Sequence, residues 1–207
     1  MYYIFDMDGT LIDSMDAFGG AMIKFLEDNN IEYPSDIVKI ITPLGFKGSA
    51  EYFLTLGSKK SVPEMLEDFK NYMIEPYTKT IPEKEGVTGT LLRLKKEGHS
   101  LNVLTASPHV TLDPCLKRLG LYDLFENVWS CDDFGMTKSE PGIYVEAAKR
   151  LGTTVSECIF IDDNVNAVKT AKVAGMHSWG IFDKYSADYI DEMKEIAERY
   201  IYTFSEI

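Results

Sequence analysis

Three short apolar runs in this chain each stop on a residue with a side-chain oxygen. Tyr2-Tyr3-Ile4-Phe5 stops at Asp6, Leu101 to Leu104 stops at Thr105, and Cys158-Ile159-Phe160-Ile161 stops at Asp162. Short apolar runs of this kind read as strands buried on both faces. Between them lie helical periodicities, each followed by a glycine. Val87, Leu91, Leu92 and Leu94 precede Gly98; Val110, Cys115, Leu116 and Leu119 precede Gly120. Tyr144, Ala147, Ala148 and Leu151 precede Gly152, and Val168, Ala171 and Ala174 precede Gly175. Glycine is the residue that most easily ends a helix. Val128-Trp129 and Ser178 to Phe182 are two weaker strand candidates. Buried strands alternating with such helices give an α/β fold, a Rossmann-like parallel sheet covered on both faces.

One connection is too long for that pattern. A strand-to-strand crossover needs a dozen or so residues plus its helix, yet Thr10 and Thr105 are about 95 positions apart. The surplus is helical by pattern. Met15, Phe18, Met22, Phe25 and Leu26 share one face, and Ser61-Val62-Pro63-Glu64 is a capping-box signature opening a helix with Met65, Leu66, Phe69, Tyr72 and Met73. Residues 16–82 are therefore expected to form a helical insert, and residues 1–15 with 83–207 the α/β core. The junctions near Ser14 to Gly20 and Thr80 to Gly86 carry the glycines and Pro82 of a hinge.

Ligands of an open parallel sheet bind beyond the C-terminal ends of its strands. Those ends carry Asp6 and Asp8, Thr105, and Asp162 and Asp163. Asp6 and Asp8 are two positions apart, so an extended backbone points both to one side, and Gly9 permits a tight turn after them. Crowded carboxylates repel, and a hard divalent cation with oxygen ligands, such as Mg²⁺, relieves them. The chain has 207 residues and a formal net charge of −12, from 21 Lys and Arg against 33 Asp and Glu. So acidic a chain is not expected to bind nucleic acid or an anionic membrane. The N-terminus lacks the basic region of a signal peptide, and no apolar run is long enough to span a bilayer. Cys115, Cys131 and Cys158 are far apart with no C-x-x-C, which suits a reducing, cytoplasmic setting.

Asp6-Met7-Asp8-Gly9-Thr10-Leu11-Ile12-Asp13-Ser14 resembles the first motif of the haloacid dehalogenase-like hydrolase superfamily. Thr105-Ala106-Ser107 resembles its second motif and Lys138-Ser139-Glu140-Pro141 its third, with Ser139 where proline is frequent. Phe160-Ile161-Asp162-Asp163-Asn164 followed by Ala171 to Met176 resembles its fourth. The motifs stand in family order across almost the whole chain, and a helical insert after the first matches the phosphoglycolate phosphatase-like branch. The resemblance implies a Mg²⁺-dependent phosphatase acting on a small phosphorylated metabolite, such as phosphoglycolate, through an aspartyl-phosphate. It casts Asp6 as nucleophile and Asp8 as general acid and then base, with the Asp8 backbone carbonyl as its metal contact. Asp6 and Asp163 would be carboxylate metal ligands, and Asp162 a further, outer one. Thr105 and the Ala106 N–H would hold phosphate oxygens, and Lys138 would balance the charge of Asp6 and the phosphoryl group. The insert would be a cap that opens for substrate and closes to exclude water, with Leu44 to Ser49 as a candidate substrate loop. The chain would work as a monomer or homodimer on a small molecule.

The nearest alternative is a phosphomutase of the β-phosphoglucomutase type, which shares these carboxylates. A calcium loop starting at Asp6 fails, because its sixth residue would be Leu11 and its twelfth Ala17. Asp133-Phe134-Gly135 lacks every other kinase signature. A phospho-accepting receiver domain has no helical insert and places its acceptor on a later strand. Asp13 is expected to cap the first insert helix and Asn164 the helix after the fourth motif.

Overall fold

The computed structural model describes residues 1–207, the Pro43 side chain excepted. Its elements are β1 (Tyr2–Phe5), α1 (Met15–Asp28), α2 (Ile37–Ile41), α3 (Gly45–Thr55), α4 (Val62–Lys79), α5 (Val87–Lys96), β2 (Ser100–Thr105), α6 (His109–Arg118), β3 (Asn127–Ser130), α7 (Pro141–Arg150), β4 (Cys158–Asp162), α8 (Val165–Ala174), β5 (His177–Ile181), α9 (Ile190–Ile196) and β6 (Arg199–Ile201). By internal contacts the chain forms two compact units, residues 1–13 with 82–207, and residues 14–81.

The first unit holds a six-stranded sheet in the order β3-β2-β1-β4-β5-β6, with every pairing parallel. The register pairs Phe5 with Val103 on one side and with Ile161 on the other. The C-terminal ends of β1, β2 and β4 therefore lie side by side, and Asp6 N–H donates to the Ile161 carbonyl at 2.9 Å. Alternation along β1 fills both faces. Ile4 packs with Phe160, Tyr144, Ala147, Ala167 and Ala171 under α7 and α8. Phe5 points the other way, with ring centroids 6.0 Å from Phe204 and 6.4 Å from Phe125. At the end of α8, Gly175 takes the left-handed conformation that closes the helix. The chain adds one strand and one helix that the apolar pattern does not announce. β6 is a short, charge-bearing edge strand, a form that discourages further strand pairing, and α9 precedes it.

The segments leaving and re-entering this unit are tied together. Ile12 and Glu83 form an antiparallel bridge. Asp13 N–H donates to the Pro82 carbonyl and Lys84 N–H to the Leu11 carbonyl, each at 3.0 Å. Lys84 then pairs with the buried carboxylate of Asp183 at 2.8 Å.

The second unit packs α1 to α4 around the fully buried rings of Phe25, Phe53 and Phe69, whose centroids lie 5.0 to 5.8 Å apart. At the start of α4 the Glu64 carboxylate accepts from both the Ser61 N–H and its hydroxyl, at 2.8 and 2.6 Å. Two local expectations are corrected here. Asp13 does not cap α1, since Ser14 holds that position, without a side-chain bond to the helix. Gly45 to Ser49 is not a loop but the start of α3, where the Ser49 hydroxyl donates to the Gly45 carbonyl at 2.6 Å.

Candidate active site

Asp6 after β1 meets Asp162 and Asp163, the last residue of β4 and the one after it, because those strands are neighbours in register. Asp6, Asp162 and Asp163 each present a carboxylate oxygen within 4.8 Å of the others. All three side chains are at least nine-tenths buried. Their counter-charge comes from Lys138, on the loop before α7, whose Nζ lies 2.8 Å from Asp6 Oδ1 and 2.7 Å from Asp162 Oδ2. The Asp162 contact is an aligned hydrogen bond. The Asp6 contact is close but misaligned, so Asp6 Oδ1 is ion-paired yet, among the described residues, accepts no hydrogen bond.

Each carboxylate has its own local fixing. Asp162 accepts from the Asn164 N–H at 2.7 Å through Oδ1 and from Lys138 through Oδ2. Asn164 in turn caps α8, accepting from the N–H groups of Asn166 and Ala167. Asp163 is held by Thr10, whose hydroxyl donates to Asp163 Oδ1 at 3.1 Å and accepts from the Asp163 N–H at 3.2 Å. Gly9 makes that approach possible. Its φ is +76°, and a Cβ there would lie 2.6 Å from Asp163 Oδ2. Asp8 stands apart from the cluster and accepts from the Ser107 hydroxyl at 2.6 Å. Thr105 ends β2, and its Oγ accepts from the Ser107 N–H at 3.1 Å, so its own proton is left to donate elsewhere. Ala106, next in this turn, is exposed.

The electrostatics follow from burial and crowding. Burial raises the Asp163 carboxyl well above its ordinary range, and the charges of Asp162 and Asp6 add to the shift. Asp183 adds more of the same sign, while Lys84 opposes it. Burial also raises Asp162, against the pull of Lys138. Burial opposes the charge on Lys138, but Asp162 and Asp6 outweigh it and hold the ammonium well above the usual lysine value. Three carboxylates facing one ammonium leave an excess that a hard divalent cation would neutralise. An all-oxygen donor set with a buried carboxylate oxygen lacking a hydrogen-bond donor fits Mg²⁺.

Besides the Lys138 pairs, three contacts here join residues far apart in the chain: Thr10 with Asp163, Ser107 with Asp8, and Lys84 with Asp183. Thr10 and Ser107 lie inside the acidic and hydroxyl motifs, so only their partners are new. Asp183 follows the apolar end of β5 as Asp6 follows β1, and that placement was the signal for it.

Residues 3–181 match the family described as haloacid dehalogenase-like hydrolase. The chain is 30% identical over 179 residues to the pyrophosphatase PpaX of Bacillus velezensis, covering 86% of this chain and 81% of that one. It is 26% identical over 218 residues to a phosphoglycolate phosphatase of Colwellia psychrerythraea, covering 99% and 93%. A Haemophilus somnus crystal structure, described as a predicted phosphoglycolate phosphatase, superposes with a TM-score of 0.85 at 20% identity, over 99% of this chain and 95% of that one.

Proposed function

The chain belongs to the haloacid dehalogenase-like hydrolases, and from that premise we propose that it is a phosphatase that hydrolyses a small phosphomonoester with Mg²⁺, carrying the phosphoryl group on Asp6. The observation that carries this reading is the cluster of Asp6, Asp162 and Asp163 around Lys138 at adjacent strand ends. Kinship with a phosphoglycolate phosphatase and a pyrophosphatase supports a small phosphorylated substrate.

Asp6 is the nucleophile: a carboxylate oxygen attacks phosphorus, the ester bond breaks, and the phosphoryl group moves to Asp6. Asp8 gives a proton to the leaving oxygen and later takes one from the water that cleaves the aspartyl-phosphate. The Ser107 hydroxyl aims the Asp8 carboxylate. Lys138 lies against the Asp6 oxygen and offsets charge on the transferred group. The Thr105 hydroxyl and the Ala106 N–H bind its oxygens. Mg²⁺ would be held by Asp6, Asp163 and the Asp8 carbonyl, and would supply charge neutralisation at the phosphoryl group. Asp162, with both oxygens engaged by Lys138 and Asn164, serves better as the anchor of that lysine than as a direct ligand. The helical unit of residues 14–81, inserted between the first and second motifs, is the element we assign to substrate selection. Three free, buried cysteines suit a cytoplasmic setting. Among the described residues no helix is long and apolar enough to cross a membrane.

The test is phosphate release from phosphoglycolate, pyrophosphate, hexose phosphates and nucleoside monophosphates, with and without Mg²⁺, for the wild type and Asp6→Asn. Release that requires Mg²⁺ and is lost in Asp6→Asn is the expected result. Interconversion of β-hexose 1-phosphate without release would replace the phosphatase reading with the mutase one.

A further inference from the structure

The Lys138 side chain is fixed by Asp6 and Asp162, but its own backbone lies in an irregular loop outside the strands and helices. On its outer side the loop caps itself, with the Thr137 N–H donating to Glu140 Oε1 at 2.8 Å and the Glu140 N–H donating to the Thr137 carbonyl at 3.0 Å. The inner side is held by a buried side chain. The Tyr144 hydroxyl donates toward the Lys138 carbonyl at 2.9 Å and toward the Ala167 carbonyl at 3.1 Å.

Tyr144 is itself enclosed by the core. It is fully buried, and its ring packs edge-on against Phe160 of β4, with centroids 4.9 Å apart. Apolar packing alone would need only phenylalanine here. A hydroxyl in such surroundings is costly unless it is bonded, and this one is bonded to the lysine loop and to α8. Helix α8 begins directly after Asp162, Asp163 and Asn164. One oxygen thus ties the backbone of the ammonium's loop to the helix that follows the acidic pair.

Resting on the reading of Lys138 given above, we infer that Tyr144 is a positioning residue for Lys138, its hydroxyl fixing where the lysine backbone sits relative to Asp6 and Asp162. Tyr144→Phe keeps the ring and its contact with Phe160 and removes one oxygen. It leaves the Lys138 and Ala167 carbonyls without that donor. A loop free to shift by a fraction of an ångström moves Nζ off the Asp6 oxygen, and misplacement on this scale costs about 10- to 100-fold in kcat.

The experiment has two arms. In the first, kcat and KM are measured for the wild type, Tyr144→Phe, Lys138→Ala and the double variant. Acting through the lysine, Tyr144→Phe lowers kcat with little change in KM, and has no further effect once Lys138 is alanine. An equal loss in both backgrounds would mean a general structural role and would overturn the inference, as would full activity in Tyr144→Phe. The second arm needs no turnover. Competitive acetylation of the folded proteins, read by peptide mass spectrometry, compares the reactivity of the Lys138 amine. It is expected to rise several-fold in Tyr144→Phe, with exposed Lys79 unchanged as internal control. Unchanged Lys138 reactivity refutes the inference even if no phosphoester is turned over. Failure of the phosphatase reading shows separately, as absence of turnover in the wild type.

Discussion

Replacing Gly9 by alanine tests whether the first motif is shaped around Asp163. Gly9 has φ +76°, where a non-glycine residue costs about 1–2 kcal/mol. The added methyl carbon would lie 2.6 Å from Asp163 Oδ2 and 2.7 Å from its Cγ, whereas ordinary contact begins at 3.4 Å. The carboxylate must retreat by roughly three-quarters of an ångström to clear it. The Thr10 bond to Asp163, already 3.1 Å, then passes out of range, a loss of about 1 kcal/mol. Together these give a destabilisation of about 2–3 kcal/mol, measured as a lower urea midpoint in metal-free buffer. Mg²⁺ affinity by titration calorimetry is expected to fall by about 10- to 100-fold, the usual consequence of moving a ligand's support. Gly20→Ala is the control. It lies in the exposed interior of α1 with open space around its Cβ position, and should stabilise by about 0.5–1 kcal/mol. If Gly9→Ala unfolds at the wild-type midpoint and binds Mg²⁺ as tightly, the inferred packing of the turn against Asp163 is wrong.

Three further outcomes are expected. Lys138→Met removes the cation from between Asp6 and Asp162 and should destabilise the metal-free protein by about 3 kcal/mol or more at pH 8. Without the ammonium a carboxylate binds its proton still more tightly in the folded state, so this deficit should shrink in urea melts as pH falls toward 5. His109 lies 2.8 Å from both Asp113 and Asp133, and these bonds, led by Asp113, raise it above the ordinary histidine value of 6.5 despite partial burial. Its contribution is therefore complete below that value and lost as pH rises through the raised one; the excess stability of wild type over His109→Gln should fade from pH 6 to pH 9, with a size under about 1 kcal/mol at this half-exposed site. Burial pushes the Cys115, Cys131 and Cys158 thiols up to about 11, so a thiol reagent at pH 8 should leave the native protein unlabelled and label it once unfolded.

The strands that build the site are legible because burial on both faces leaves a continuous apolar run, and because each run stops where the chain must meet a ligand. Tyr2 to Phe5 and Cys158 to Ile161 show this, and the sheet pairs them in register. The helical unit is legible from the excess chain between Thr10 and Thr105 and from its apolar spacing. β6 is not, since three residues at a charged edge carry no burial pattern. The partners within the site were also hidden. Thr10 and Asp163 are 153 positions apart, and Ser107 and Asp8 are 99 apart. Such pairings are set by strand order and turn geometry, which a linear pattern does not encode. The same holds for Asp162: spacing groups it with Asp163, and only the third dimension shows its two oxygens turned to Lys138 and Asn164.

The most direct test of the account is to trap the phosphoryl group on Asp6. Wild-type protein with Mg²⁺ and its best phosphomonoester is quenched in acid during turnover, and the intact protein and its peptides are weighed. One phosphoryl group on the peptide containing Asp6, absent in Asp6→Asn, is the predicted result. Turnover with no phosphorylated protein at any quench time, or a phosphoryl group on another residue, would contradict the assignment of Asp6 as nucleophile.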